Sequence, residues 1–487
     1  MATVMTEQRK KVGYGSLREF LAALEARNLV QHIRVPVDKD WEVGAICREV
    51  SDREGPAVLF EKIGEYKTPL LVNTLGTRER YALALGTEPA VEAMAARWRQ
   101  AYSSPIQYEI VPRSAAPCKE VVIDRPDLFA DPFPVPKWHP LDGGYEIGTL
   151  HGVISMDPET GWINVGNYRN EIFNSTTMGC YVVEVPYRHI HQHWDKWKAR
   201  GKNMPVAVVI GPDPYVSLAS VSAVPAQVDE YNIAGGLRGA PIEVVKAELS
   251  DLLVPAHAEI VIEGEMPIDK FWPTEGPFGE FTGYMGHEVK NSFYIEVKKV
   301  THRRDPIFHG TYEGRPPNES TMVRVISRSA AVLEHLRRAG LVGIRDLCVT
   351  PGGCAGFHVT VSIKKSYPGH VRDVMMNIWG IPILFCKHVT VVDEDIDVWN
   401  PFMVEWAVAT RVQACRDIVC VPGGKSVMLD PSQPGSRRGK SDLLGIDATK
   451  PLDEYERDGS EFPPGTDPLP EQMEKVRRRW REYGFPS

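Results

Sequence analysis

Two glutamates five positions apart are the side chains of this sequence best placed for proton-transfer chemistry. Glu275 and Glu280 lie in the segment TEGPFGEFTGY at 274–284, which contains three glycines and one proline. Because Gly and Pro disfavour helix interiors, we predict a turn that leads into a strand, a setting in which reactive side chains are often presented. Within such a pair, one carboxylate can hold a partner while the other carries the proton. The spacing alone also allows a surface turn with two solvated glutamates.

Three further polar clusters contain side chains that could bind a metal ion. Asn164, His189 and Glu243 would offer an amide oxygen, an imidazole and a carboxylate, a set that suits Mg²⁺ or Mn²⁺ better than Zn²⁺. The residues alone leave this open, because a histidine beside apolar neighbours is more often structural. If the run after Pro186 is helical, His189 and His193 share a face, and this keeps a zinc site open although no HExxH motif occurs.

Composition and charge narrow the class of protein. The chain has 487 residues, too many for one core, and its 43% hydrophobic and 25% charged residues are ordinary for a globular protein. The formal net charge of −8 lacks the basic footprint of a nucleic-acid-binding surface. No apolar run approaches the roughly 20 residues that span a bilayer, and the first dozen residues lack an apolar leader. The eight cysteines form no CxxC pair, so we expect reduced thiols in a cytoplasmic protein without nucleic-acid or membrane partners.

Secondary-structure patterns change along the chain. Ser16 and Glu19 form a capping-box pattern ahead of a first helix. Helix and strand patterns then alternate at both ends of the chain, whereas the middle has short β-rich runs separated by Gly and Pro, which favour a barrel or sandwich. Predicted strands lie at 57–60, 70–72, 152–156, 180–185, 206–210, 258–264, 292–297, 359–363 and 389–393, and predicted helices at 90–97, 322–339, 370–379 and 471–483. A Pro- and Asp-rich segment at 124–140 is predicted to be a linker.

Seven motifs keep the order that they have in a known enzyme family. They are NVGNYR at 164–169, His189 ahead of Ile190, Glu243 in EVVK, EGPFGEFTGY at 275–284, KHVTVVDEDID at 387–397, WAVATR at 406–411 and GIDAT at 445–449. Together they resemble the UbiD family of decarboxylases, which use prenylated FMN. A ten-residue signature with six supporting motifs is far more specific than one short pattern, and the match runs from the first helix to near residue 450.

The resemblance implies a mixed α/β (α+β) fold in three parts followed by a tail. The expected parts are an N-terminal α/β domain at 1–120, a central split β-barrel of flavin-reductase-like type that binds the cofactor at 121–320, a C-terminal α/β oligomerisation domain at 321–450, and a Pro/Gly-rich tail with a C-terminal helix at 451–487. The family assembles as dimers or hexamers, so a homo-oligomer is expected.

The resemblance also implies which residues hold the cofactor. Asn164, His189 and Glu243 would bind a divalent ion, Mn²⁺ or Mg²⁺, that clamps the phosphate of prenylated FMN, and K⁺ is a further candidate cation. Lys387 and Arg411 would contact the same phosphate. A flavin prenyltransferase would supply the cofactor, which makes that enzyme an expected partner.

Arg169, Glu275 and Glu280 would form the catalytic trio of such an enzyme. Removal of CO₂ from an sp² carbon requires an electron sink that no side chain provides, and the family uses prenylated FMN as a covalent sink. Arg169 would grip the substrate carboxylate, Glu275 would hold Arg169, and Glu280, with a raised pKa, would donate the proton. Strand alternation would place Asn164 and Arg169 on opposite faces, so we expect a bulge or bend near Gly166.

The expected activity is therefore a non-oxidative, reversible decarboxylation of an aromatic, heteroaromatic or α,β-unsaturated carboxylic acid. A phenolic acid, a polycyclic or nitrogen heteroaromatic acid and a polyprenylated benzoate all fit this description. Two alternatives remain open at the level of the sequence. An FMN-dependent reductase would use the barrel but leave the trio without a role, and a metal-dependent hydrolase would use Glu280 as the base for a bound water.

Overall fold

The strands of the chain form sheets of very different size. The structure is a computed structural model that describes residues 13–130, 133–182, 188–222, 224–381, 384–435, 439–452 and 459–485. Within these residues the strands form five sheets, of four, nine, three, two and five strands. Helices and sheets mix along the whole chain, which confirms the predicted mixed α/β class.

The N-terminal part begins with the predicted capped helix, Leu17–Glu25. The hydroxyl of Ser16 accepts from the backbone N–H of Glu19 at 3.2 Å, while the Glu19 carboxylate accepts from the N–H of Gly15 at 2.7 Å. The strands of the four-stranded sheet, in sheet order, are Val30–Ile33, Ala57–Phe60, Leu70–Val72 and Phe308–His309. The helices of this part are Glu42–Asp52, Arg78–Leu85 and Val91–Ser103. The strands predicted at 57–60 and 70–72 are confirmed.

The nine-stranded sheet forms the centre of the protein and curls into a half-barrel. Its strands, in sheet order, are Tyr145–Gly148, Asn170–Asn174, Thr177–Gly179, Tyr294–His302, Ile260–Met266, Met204–Ile210, His151–Met156 and Ile163–Gly166, and Val121–Ile123 pairs with Tyr294–His302. The helices of this part are His189–Ala199, Pro214–Ser220 and Glu230–Arg238, with 3-10 turns at Arg113–Ala115 and Pro117–Lys119. Branched apolar side chains, such as those of Val208, Ile262 and Ile295, fill its interior.

Two small sheets flank the half-barrel. The three-stranded sheet consists of Leu253–Pro255, Glu243–Lys246 and Glu109–Ile110. The two-stranded sheet pairs Trp272–Glu275 with Val289–Ser292 in antiparallel register, so that Glu275 faces Val289. The segment that joins these two strands carries the glycine-rich signature.

The C-terminal part is built on the five-stranded sheet. Its strands, in sheet order, are Ile344–Val349, His358–Ile363, His388–Asp393, Lys440–Ala448 and Ile418–Lys425. Its helices are Glu319–Arg338, His370–Trp379, Pro401–Arg411 and Ala414–Asp417, and the helix Pro470–Arg478 follows in the tail. The predicted alternation of helices and strands after residue 320 is confirmed. None of the helices in the described ranges combines the length and the apolar character needed to cross a bilayer.

One predicted strand is wrong in its position. The run 180–185 was expected to be extended in a sheet, but the strand is Thr177–Gly179, and residues 180–182 have no regular structure. The regular ladder ends at Gly179, although the N–H of Cys180 still donates to the carbonyl of Phe293 and that of Tyr181 to the carbonyl of Arg169, at the ends of the two neighbouring strands. Residues 183–187 of the predicted run lie outside the described residues.

The domain ranges stay predictions. The strand Phe308–His309, from the end of the predicted central range, pairs in parallel with Leu70–Val72 and so extends the N-terminal sheet. The chain therefore returns to its first sheet before the helix Glu319–Arg338 begins the C-terminal part.

Candidate active site

One arginine lies between the two signature glutamates. The Nε of Arg169 is 2.9 Å from Oε1 of Glu275, and its Nη1 donates a short hydrogen bond to Oε1 of Glu280. All three side chains are withdrawn from solvent, with exposures of 9% for Arg169, 0% for Glu275 and 10% for Glu280. The structure thus brings the predicted trio together from two segments more than a hundred residues apart.

The end of a strand and a tight turn hold the two glutamates in place. Glu275 is the last residue of its strand, and its carboxylate also accepts from the hydroxyl of Ser292 on the paired strand. Gly276 then takes a φ of +79°, a left-handed conformation that glycine adopts without strain, and the chain leaves the sheet. The N–H of Glu280 donates to the carbonyl of Tyr284 at 3.0 Å, which closes the turn. The segment was predicted to lead into a strand, whereas it joins two strands of one small sheet.

Arg169 lies in a bend between two strands of the half-barrel. The strand Ile163–Gly166 ends three residues before it, and the next strand begins at Asn170. The strict alternation of side chains therefore stops at Gly166, where the expected bend occurs. The guanidinium lies over the ring of Tyr181, 4.2 Å from the ring centroid, and 5.4 Å from that of Phe278. These rings fix the plane of the cation from its apolar faces.

Burial and neighbouring charge act against each other on Glu280 and on Arg169, and both pKa values lie above their ordinary range. Burial raises the pKa of Glu280 to about 7, against the lowering effect of the Arg169 guanidinium. Burial by itself lowers the pKa of Arg169, but the carboxylates of Glu280 and Glu275 outweigh it and hold the pKa above its ordinary value. Arg169 is therefore a permanent cation, and Glu280 is poised to exchange a proton near neutral pH.

A third acid, Glu146, lies beside the trio and was not predicted from the sequence. Its side chain is buried, and its Oε2 has no hydrogen-bond partner among the described residues. Burial raises its pKa well above the ordinary value, an effect that Arg169 opposes and Glu275 reinforces. Burial therefore favours the protonated form of Glu146. Only its position in the half-barrel shows this, because its sequence context, a strand next to two glycines, carries no chemical signal.

Trp162 relates the position of Asn164 to that of His189. Trp162 and Asn164 are two positions apart on an extended segment and so share a face, and the ring of Trp162 packs 4.7 Å from that of His189. Asn164 is buried, and its Nδ2 has no hydrogen-bond partner among the residues described. A half-turn of the amide would present its oxygen at the same point. Burial lowers the pKa of His189, which keeps the imidazole neutral and able to bind a metal.

The carboxylate beside His189 belongs to Glu230, which the sequence reading missed. Oε1 of Glu230 is 4.0 Å from Nδ1 of His189, and its Oε2 accepts from the N–H of Val165 at 2.8 Å. Glu230 is the first residue of the helix Glu230–Arg238, which covers the free edge of the strand that carries Asn164. Burial raises the pKa of Glu230 to about 8, a penalty on the anion that a bound cation would relieve. The sequence signal was an acidic pair, Asp229 and Glu230, at the start of a helical run.

The structure does not bring Glu243 to this set. Glu243 begins a strand of the separate three-stranded sheet, and its Oε2 lies 2.5 Å from Nε2 of His257 at a half-exposed position. The prediction relied on the local EVVK context, which says nothing of the sheet to which the strand belongs. The zinc alternative also finds no site, because no group of three His, Cys, Asp or Glu side chains converges as a metal site in the described part of the chain. His193 is buried and bonds to the hydroxyl of Ser155 at 2.9 Å.

Lys387 and Arg411 are held by aspartates of the C-terminal part. Nζ of Lys387 is 2.9 Å from a carboxylate oxygen of Asp430. The guanidinium of Arg411 is 2.8 Å from Asp393 and 2.9 Å from Asp395. These contacts do not connect either cation to Asn164, His189 or Glu230, so their contact with a cofactor phosphate stays a prediction.

The chain matches three family models that together span most of its length. They are the 3-octaprenyl-4-hydroxybenzoate carboxy-lyase N-terminal domain at 21–98, the Rift-related domain at 109–316 and the C-terminal domain at 321–448.

Solved structures agree over nearly the whole chain. The UbiD-class enzyme HmfF from Pelotomaculum thermopropionicum, in complex with FMN, is 35% identical, with 93% of this chain and 98% of that chain covered and a TM-score of 0.84. The open form of vanillic acid decarboxylase from Sedimentibacter hydroxybenzoicus, with truncated ShVdcD, is 30% identical, with 97% and 99% covered and a TM-score of 0.84. Apo 3,4-dihydroxybenzoic acid decarboxylase (AroY) from Klebsiella pneumoniae is 26% identical, with 94% and 99% covered and a TM-score of 0.83. The chain therefore belongs to the UbiD family of carboxy-lyases.

Proposed function

We propose that this protein is a non-oxidative decarboxylase of an aromatic, heteroaromatic or α,β-unsaturated carboxylic acid that works with prenylated FMN. The observation that carries the proposal is a buried guanidinium held between two carboxylates, one of which has a pKa of about 7. The FMN in the HmfF structure and the aromatic acids named for the two other relatives support the cofactor and the substrate class.

Arg169 binds and orients the substrate carboxylate in this proposal. Its guanidinium offers a planar fork of donors, which matches a carboxylate in a bidentate geometry. Glu275 accepts from Nε, the nitrogen next to the side-chain stem, and so fixes the rotation of the group. Protonation of Glu280 weakens its ionic bond to Arg169, and the N–H groups of Nη1 then become available to a substrate carboxylate. Proton uptake by Glu280 and binding of a substrate carboxylate at Arg169 therefore favour each other.

Glu280 donates the proton that replaces CO₂. The bond between the carboxylate and its carbon breaks, CO₂ leaves with the former carboxylate oxygens, and the electron pair remains on the carbon. When bound, prenylated FMN supplies the electron sink that this step needs. The O–H of Glu280 then transfers its proton to the carbon, and water returns a proton to the carboxylate for the next turnover. A pKa of about 7 lets the same group give and regain a proton near neutral pH.

Asn164, His189 and Glu230 form the set that we propose for the divalent ion of the cofactor phosphate. An amide oxygen, a neutral imidazole and a carboxylate fit Mn²⁺ or Mg²⁺. Nδ1 of His189 and Oε1 of Glu230 lie 4.0 Å apart, so the two groups would hold the same ion when it is bound. Glu230 thus takes the place that the sequence reading gave to Glu243.

The test is decarboxylation by protein loaded with prenylated FMN. The loaded protein is incubated with a panel of phenolic, heteroaromatic and cinnamic-type acids, and mass spectrometry follows the loss of CO₂ from each acid. Loss of CO₂ without a nicotinamide or an electron acceptor supports the proposal. Oxidation of a nicotinamide in the presence of an acceptor would indicate a flavin reductase instead, and hydrolysis by metal-loaded protein that lacks flavin would indicate a hydrolase.

A further inference from the structure

A short segment at 139–144 lies against the outer side of the turn that carries the two signature glutamates. Oδ1 of Asp142 accepts from the N–H of Gly279 at 2.9 Å, next to Glu280. The N–H of Gly143 donates to the carbonyl of Pro277 at 2.7 Å. The segment is thus hydrogen-bonded to one backbone N–H and to one backbone carbonyl of the turn.

The approach of the two segments is closer than any side chain would permit. A Cβ on Gly143 would lie 2.2 Å from the carbonyl oxygen of Gly276, and a Cβ on Gly279 would lie 2.4 Å from ring atoms of His139. Both neighbours are fixed, one because it is backbone and the other because its ring is bonded at both nitrogens. The contact between segment and turn therefore requires glycine at both positions.

Asp142 is itself held by His139, and the hydrogen bonds of the His139 ring favour a positive charge on that ring. Nδ1 of His139 is 3.0 Å from Oδ2 of Asp142, and its Nε2 is 2.8 Å from the backbone carbonyl of Glu313. A carbonyl only accepts, so Nε2 donates to it, and the carboxylate at Nδ1 favours the cationic ring, in which both nitrogens donate. Burial works against this charge, but the bond to Asp142 raises the pKa of His139 above its ordinary value. The Asp142 carboxylate is therefore fixed from two sides.

The other end of the turn is held by a second carboxylate. Oε2 of Glu171 accepts from the N–H of Gly276 at 2.6 Å, directly after Glu275. Glu171 lies on the strand Asn170–Asn174, which begins immediately after Arg169. Residues 169–171 therefore carry both Arg169 and Glu171. Glu171 anchors the chain next to Glu275, and Glu275 holds Arg169.

We propose that Asp142 and Glu171 are positioning residues, one at each end of the catalytic turn. Glu171 fixes the Glu275 end and so the direction of the Arg169 fork, while Asp142 fixes the Glu280 end and so the path of the proton. This inference rests on the proposed function, because it uses the roles of Arg169 and Glu280 given there.

The two anchors have different kinetic signatures. A displaced Arg169 weakens the grip on the substrate carboxylate, so loss of the Glu171 anchor raises KM. A displaced Glu280 slows proton delivery without changing that grip, so loss of the Asp142 anchor lowers kcat and increases the solvent deuterium isotope effect on kcat. A misplacement of about 1 Å costs on the order of 100-fold in rate, so both effects are measurable. A role in stability alone predicts lower melting temperatures and unchanged kinetic constants.

The experiment compares Asp142→Ala and Glu171→Ala with the wild-type enzyme, all loaded with prenylated FMN. Asp142→Ala is expected to lower kcat by on the order of 10- to 100-fold with KM within about twofold, and Glu171→Ala to raise KM by on the order of 10-fold. Asp142→Asn and Glu171→Gln keep an acceptor oxygen and are expected to recover most of each loss. Asp213→Ala is the matched control, because Asp213 is also buried and also accepts from backbone N–H groups, those of Tyr215 and Val216, at the start of a helix outside the turn.

A second variant keeps the inference testable if the alanine variants do not fold. Gly143→Ala leaves every charge in place and pushes on the turn through the carbonyl of Gly276. We expect it to lower kcat or raise KM by at least about 10-fold. Wild-type constants in Gly143→Ala, or in both folded alanine variants, would overturn the inference, as would identical effects at the two ends. Failure of the proposed function is distinguished by the wild-type enzyme, which would then release no CO₂.

Discussion

Arg169 and Glu275 are joined by a hydrogen bond of 2.9 Å between Nε and Oε1, across 106 positions of sequence. The bond uses the nitrogen next to the side-chain stem, while the terminal Nη1 donates to Glu280. The guanidinium is therefore fixed at its stem by Glu275, and the carboxylate that a substrate would displace from its fork is that of Glu280. This asymmetry is the basis for the first prediction.

Arg169→Lys should lower kcat/KM by on the order of 100-fold or more. Lysine keeps the charge but offers a single ammonium in place of a planar fork, so it cannot bond to Glu275 and to a carboxylate in fixed directions at once. Steady-state kinetics on an acid that the wild-type enzyme decarboxylates would measure the loss. Arg18→Lys is a suitable control, since Arg18 of the first helix pairs at 2.9 Å with Glu259, next to the strand Ile260–Met266 and outside the trio. Equal loss in both variants would show a general effect on stability.

Glu280→Gln should abolish turnover while the cofactor stays bound. Glutamine has nearly the same shape but no acidic proton, and loss of a general acid lowers the rate by about 10²–10⁴-fold. The flavin absorbance of the purified protein reports cofactor retention, and release of CO₂ reports turnover. Full activity in this variant would rule out Glu280 as the proton donor.

The rate should fall as the pH rises through about 7. Burial raises the pKa of Glu280 to about 7, so the protonated form that donates is present below that pH and disappears above it. The fall in kcat/KM should be centred near pH 7, because kcat/KM reports the ionisation of the free enzyme. The fall in kcat should be centred at a higher pH, because a substrate carboxylate at Arg169 adds negative charge beside Glu280 and so raises its pKa. A rate that does not fall between about pH 6 and 9 would contradict the role of Glu280.

Much of the architecture follows from local patterns, but the site does not. The helix at 370–379 and the strands at 57–60 and 70–72 have periodicities that fix their type, and the structure confirms them. The meeting of Arg169 with Glu275 depends on how the half-barrel and the small two-stranded sheet pack, which no local pattern contains. The family resemblance supplied that pairing in advance.

The choice between Glu243 and Glu230 as a metal ligand shows the same limit of local patterns. Two carboxylates, Glu230 and Glu243, follow each other within one stretch of the chain, and both precede apolar residues. What distinguishes them is tertiary placement, since the helix that begins at Glu230 covers the edge of the strand that carries Asn164, while Glu243 pairs with His257 in another sheet.

Metal binding offers a direct comparison of these two glutamates. Glu230→Ala should remove the divalent ion from the purified protein and weaken flavin binding, because the ion-binding set loses its only charged ligand. Glu243→Ala should leave both unchanged. Elemental analysis by mass spectrometry gives the metal content, and flavin fluorescence titration gives the affinity, for which we expect a difference of at least about 10-fold. Loss of metal in Glu243→Ala but not in Glu230→Ala would reverse the assignment.

Glu146→Gln should leave activity nearly unchanged and flatten the dependence of stability on pH. Burial raises the pKa of Glu146 above its unfolded value, so the folded protein retains a proton that the unfolded chain releases. A carboxyl group of this kind stabilises the fold fully at low pH, and its contribution falls as the pH rises from the unfolded pKa towards the folded one, by about 1.4 kcal/mol for each pH unit. Glutamine resembles the protonated acid at every pH, so this slope should disappear. Urea unfolding at several pH values from 4 to 8 would measure it, and an unchanged slope would mean that Glu146 is ionised beside Arg169.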